Sequence, residues 1–95
     1  MAEPKYTRET VLSVRRWTPK LFSFTLTRPA GFRFTAGQFA RIGLDTSTAD
    51  VFRAYSIVSS PFADTLEFFS IVVPDGAFTS RLQHLQPGDT LLLEK

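Results

Sequence analysis

Leu21-Phe22-Ser23-Phe24-Thr25-Leu26-Thr27 alternates without a break. The side-chain period of a strand is two, so Phe22, Phe24 and Leu26 project to one side. Leu21, Ser23, Thr25 and Thr27 project to the other. This pattern predicts a strand with one face in a core. Pro29-Ala30-Gly31 ends it. Thr18-Pro19-Lys20 ahead of it is a turn, because proline cannot donate to a ladder. Working back, residues 10–17 predict a first strand, with Val11, Ser13, Arg15 and Trp17 on one side and Leu12, Val14 and Arg16 on the other. Working forward, Gly37 marks a tight bend into a third strand over residues 38–44. Residues 45–50 are small and polar and read as a loop. A fourth strand is predicted over residues 51–59, stopped by Ser60-Pro61, and a fifth over residues 66–73, stopped by Pro74-Asp75-Gly76. Ser80 followed by Gln83 matches a capping box and opens one short helix, with Leu82 and Leu85 spaced to face the core. Pro87-Gly88-Asp89 turns the chain into a last strand from Thr90. Short strands at close spacing with one late helix predict an all-β fold, a six-stranded antiparallel Greek-key barrel.

The length of 95 residues suits one small domain over residues 1–95, with a core from about residue 7. Ten phenylalanines offset the small size, since each ring buries a large area. The net charge is +2 and the eleven basic residues are scattered, so no nucleic-acid stripe is expected. There is no cysteine, which excludes disulfides, thiolate metal sites and iron–sulfur ligation within these residues. His84 is the sole histidine, so no histidine metal site or catalytic triad can be assembled, and no metal is expected. Residues 1–10 are polar, and no window reaches the roughly 18 apolar residues of a membrane span. A soluble, cytoplasmic monomer away from membranes is the expectation.

Arg53-Ala54-Tyr55-Ser56 is the most informative stretch for chemistry. On a strand, Arg53 and Tyr55 share a face. A guanidinium can grip a phosphate with two parallel hydrogen bonds, and a phenol beside it can stack on a flat ring. Ser56 adds a small hydroxyl, which alternation places on the opposite face. An ordinary edge strand with a solvated arginine explains the same four residues. A second stretch, Val73-Pro74-Asp75-Gly76-Ala77-Phe78-Thr79-Ser80, runs a glycine turn into a helix start, where free N–H groups and the helix dipole favour a phosphate. Simple capping by Ser80 explains it equally.

Order and spacing join the two. Arg53-Ala54-Tyr55-Ser56 is followed by Leu66-Glu67-Phe68-Phe69, Pro74-Asp75-Gly76, Thr79-Ser80 and Leu85-Gln86-Pro87-Gly88-Asp89. Phe34-Thr35-Ala36-Gly37-Gln38-Phe39 and Trp17 with Leu21-Phe22-Ser23 precede them. Jointly these resemble the flavin domain of the bacterial ferredoxin–NADP⁺ reductase family, from about Thr7 to Lys95. The resemblance implies non-covalent FAD, with NADPH as co-substrate and ferredoxin or flavodoxin as electron partner. It implies that Arg53 binds the pyrophosphate, Tyr55 stacks on the isoalloxazine, Ser56 hydrogen-bonds near N5 and Ala54 lies against the cofactor. Tyr55 and Ser56 would matter most for rate. Phe69, Ser70 and Ile71 would contact FAD from the next strand, and Ala77, Phe78 and Thr79 would hold the pyrophosphate. The last strand is still apolar at Lys95 and no G-x-G-x-x-G fingerprint occurs, so the NADP-binding domain is expected to be missing from these residues. Two other readings keep the barrel. One is the flavin domain of an oxygenase reductase or flavin reductase. The other is a non-enzymatic barrel that binds oligonucleotides or proteins.

Overall fold

A computed structural model describes residues 6–44, 51–71, 82 and 84–94. Six strands form one antiparallel sheet: β1 (Tyr6–Arg16), β2 (Leu21–Thr27), β3 (Phe39–Leu44), β4 (Val51–Ser56), β5 (Thr65–Ile71) and β6 (Thr90–Glu94). Their spatial order is β4-β3-β6-β1-β2-β5. The sheet curls until its two edge strands meet, where Ile57 bridges Phe68 and the Val58 N–H donates to the Glu67 carbonyl at 2.9 Å. The result is a six-stranded barrel with one seam, between β4 and β5.

β2 has the bounds that alternation predicts, and Phe22, Phe24 and Leu26 are buried inside the barrel. β1 departs from simple alternation. It pairs with β6 through Thr10 and with β2 from Val11 onward, and the register shifts between Val11 and Ser13. The irregularity at Leu12 leaves that side chain 45% exposed and turns both Val11 and Val14 toward the core. Placing Val11 and Ser13 on one side is therefore corrected: a bulge adds one residue and flips the faces beyond it. Trp17 lies just past β1, where its N–H closes the hairpin on the Leu21 carbonyl at 2.8 Å.

Gly37 adopts φ +81° at the expected bend, and Gly88 adopts φ +95° in the turn before β6. Both are conformations that side-chain-bearing residues resist. β4 stops at Ser56, short of the expected residue 59: the Ile57 N–H still donates to the Gln38 carbonyl at 2.9 Å, but Ile57 also bridges Phe68, and the Val58 N–H has turned to Glu67 of β5. Leu82 and Leu85 are buried in the core, as the helical spacing required. The remainder of the expected helix, including Ser80 and Gln83, lies outside the described residues. The core gathers side chains from β1, β2, β3, β5 and β6 and from Ile57 beyond β4, Val11, Phe22, Phe24, Leu26, Ile42, Leu66, Phe68, Leu91 and Leu93 among them, and Tyr55 of β4 packs against it. Among the described residues, no helix is long and apolar enough to cross a membrane.

Candidate functional site

Antiparallel partners point to the same face, so register decides where each candidate residue projects. Tyr55 pairs with Ala40 and Arg53 with Ile42. Ala40 and Ile42 are buried in the barrel, so Arg53 and Tyr55 also face inward, at the edge where, among the described residues, the barrel wall is incomplete. Tyr55 is half-buried and packs against the core, whereas Arg53 reaches solvent. The Arg53 guanidinium donates to the neighbouring Phe52 carbonyl at 2.9 Å.

Across the seam, Ser70 also turns inward and is buried. Its hydroxyl donates to the Tyr55 hydroxyl at 3.4 Å. The Phe24 ring meets the Tyr55 ring edge-on, with centroids 6.2 Å apart and planes at 80°. Burial pushes the Tyr55 phenol above its ordinary value of 10.0, against the smaller opposing effects of the Ser70 hydrogen bond and the Arg53 charge. The phenol therefore stays protonated through the neutral range.

The other candidates lie on outer faces. Ala54 pairs with Arg41 and Ser56 with Phe39, on the outside of β4, and both are exposed. Phe69 and Ile71 project from the outside of β5 and are 41% and 63% exposed. Phe69 belongs to a small outer cluster. Its ring contacts Trp17 at 6.1 Å, Arg15 covers the Trp17 ring at 3.8 Å, and the indole N–H donates to Ser23 Oγ at 3.0 Å. The structure thus brings Arg53, Tyr55 and Ser70 together at the open seam. Ala54, Ser56, Phe69 and Ile71 flank that seam from outside. Ala77, Phe78 and Thr79 lie outside the described residues.

Phe24 behind Tyr55 escaped the sequence reading. Alternation put it in the core, but its contact with Tyr55 depends on closure between sheet edges far apart in the chain. Among the described residues no group of three or more His, Asp or Glu gathers to hold a metal ion. A hollow of about 460 Å³ lies elsewhere, lined by Thr7, the loop of residues 29–33, Leu93 and Glu94, and none of the candidate residues enters it.

What the seam can hold follows from its chemistry. It offers an aromatic ring, an exposed guanidinium on the same face, hydroxyls on both strands and exposed apolar side chains beside the gap. A flat, largely apolar ring with an anionic tail fits that set.

Comparison with known proteins agrees in kind. The family described as oxidoreductase FAD-binding domain matches residues 10–94. A ferredoxin–NADP reductase of Pseudomonas aeruginosa is 54% identical over 87 residues, covering 92% of this chain and 34% of the relative. Ferredoxin–NADP reductase A of Sorangium cellulosum is 52% identical over 92 residues, covering 97% and 33%. The crystal structure of a ferredoxin NADP⁺ reductase from Neisseria gonorrhoeae with bound FAD and NADP superposes with a TM-score of 0.94 at 44% identity, covering 97% of this chain and 37% of that one. The chain spans about a third of the length of the curated relatives it matches.

Proposed function

The chain belongs to the oxidoreductase FAD-binding domain family, and from that premise we propose that it binds FAD along the open seam between β4 and β5. In a protein built like its relatives, that FAD would carry electrons from NADPH to ferredoxin or flavodoxin, the class of reaction named for those relatives. A soluble cytoplasmic setting is part of the same proposal. The observation that carries the reading is the shared face of Arg53 and Tyr55 at the seam, a cation and a ring where the wall is open.

Bound there, FAD supplies a ring that takes up hydride and releases single electrons. The residues do the holding. Arg53 neutralises the pyrophosphate with charge-assisted hydrogen bonds. Tyr55 gives the isoalloxazine a stacking surface and, with its phenol kept protonated, adds no charge against it. Ser56, on the outer face at the end of the same strand, would hydrogen-bond the ring nitrogen that accepts hydride from around the strand's end or through its backbone. Phe69 and Ile71 cover the cofactor from β5 and exclude water, and Ala54 leaves room for it on β4. Ala77, Phe78 and Thr79, outside the described residues, are the ones the resemblance would add to the pyrophosphate site.

Arg53→Ala tests the assignment. A hydrogen bond to a charged group contributes about 1.5–3 kcal/mol, so FAD should bind roughly 10- to 100-fold more weakly. Flavin fluorescence titration reads this directly. Equal affinity in variant and parent would remove Arg53 from the site.

A further inference from the structure

Ser70 sits among residues that would touch a ligand at the seam, yet it is only 3% exposed. Its strand neighbours Phe69 and Ile71 turn outward, while Ser70 turns in, behind the Tyr55 ring. Its hydroxyl donates to the Tyr55 hydroxyl at 3.4 Å, the side-chain hydrogen bond described between the two seam strands at this end. Phe24, itself stacked on Phe68 at 5.5 Å, braces the same tyrosine ring from the core side. A tyrosine ring has two torsions to fix, and rotation about the outer one is soft. The contact at the hydroxyl tip restrains the inner torsion, which swings the ring axis, and the Phe24 contact restrains the outer one, which turns the ring plane.

We propose that Ser70 is a positioning residue: it fixes the tip, and so the axis, of the Tyr55 ring, whose plane Phe24 braces, and does not itself touch the cofactor. The inference rests on the reading that Tyr55 stacks on FAD, and it reassigns Ser70 from a cofactor contact to a support for one. The hydrogen bond is long for two neutral hydroxyls, so its effect is small. It preorganises a ring that would otherwise lose torsional freedom on binding, which costs affinity.

Four proteins expressed from the complete reading frame decide the matter: the parent, Ser70→Ala, Tyr55→Phe and the double variant. FAD titration gives the Kd, and the residual fluorescence of bound flavin reports how well the tyrosine ring quenches it. In the parent, Ser70→Ala should raise the Kd about threefold, at the lower end for a neutral hydrogen bond. It should also raise bound-flavin fluorescence. In the Tyr55→Phe background, where no hydroxyl remains to hold, Ser70→Ala should change neither quantity. An equal effect in both backgrounds overturns the proposal, because the serine would then act on the cofactor directly. No effect in either background overturns it as well. The underlying reading fails separately: Tyr55→Ala with unchanged Kd and unchanged bound-flavin fluorescence would take FAD away from this ring altogether.

Discussion

Strands β4 and β5 meet at one end of the seam and part at the other. At the closed end Ile57 bridges Phe68, and their side chains are 3% and 0% exposed. At the other end a 3.4 Å hydroxyl contact from Ser70 reaches Tyr55, Arg53 is exposed and donates to the Phe52 carbonyl, and Ile71 is 63% exposed. The same two strands build core at one end and, among the described residues, leave a half-buried ring and an exposed cation at the other. Uncovered sheet edges invite unwanted pairing, and proteins normally blunt them. A ligand of fixed shape is one way to cover such an edge.

The largest effect should fall at the closed end. Phe68→Ala removes a fully buried ring stacked on Phe24. Replacing a core phenylalanine by alanine costs about 3–5 kcal/mol, a large share of what a small domain has. Urea unfolding should show it plainly. Arg53→Ala at the open end should shift the same unfolding curve by less than about 0.5 kcal/mol, because an exposed side chain supports little. Comparable losses at both ends would break the contrast, and with it the case that the open end is kept for binding.

An intermediate effect should come from the outer side of β4. Phe52 lies over Gly43 of β3, and a Cβ added at Gly43 would fall 2.6 Å from the nearest Phe52 ring atom. The Phe52 ring has neighbours on either side, Tyr6 with centroids 5.9 Å apart and the Arg41 guanidinium 5.9 Å from the ring. The ring must therefore move against contacts. Gly43→Ala should destabilise by about 1–3 kcal/mol, as overpacking usually does. An unchanged melting temperature would show that β4 is as loosely seated along its outer face as at its open end.

Most of the strand positions along the chain were legible because alternation survives wherever one face is buried and the other is not. β2 is the clear case, since Phe22, Phe24 and Leu26 alternate with smaller polar residues. β6 hides its faces, with Leu91, Leu92 and Leu93 all buried, and only the turn at Gly88 announces it. The bulge at Leu12 left no local mark in the sequence, because it answers to a change of partner from β6 to β2. In the site, the shared face of Arg53 and Tyr55 follows from period two alone. The pairing of Tyr55 with Ser70 does not, because it spans the seam between the first and last strands of the sheet order. Closure of a barrel is a long-range property, and the residues that depend on it are those that local pattern cannot place.

The smallest effect is also the most local, and it concerns a proton. Burial raises the Tyr55 phenol above 10.0, and neither the Ser70 hydrogen bond nor the Arg53 charge fully offsets it. In the unfolded chain the phenol ionises near its ordinary value. Below that pH both states hold the proton and the folded state loses nothing. Above it the unfolded chain releases its proton first, so unfolding gains free energy as pH rises from about 10 toward the folded value. Stability should therefore fall over that alkaline range, and Tyr55→Phe should flatten the fall relative to the parent. Ser70→Ala should do the reverse. Removing a donor to the phenol oxygen raises the folded value further and steepens the decline. Urea midpoints measured between pH 8 and about pH 11 would check both signs. A decline that Tyr55→Phe leaves untouched would mean that the ring at the open end is as well solvated as in the unfolded chain. The seam would then be wider than the contact with Phe24 implies.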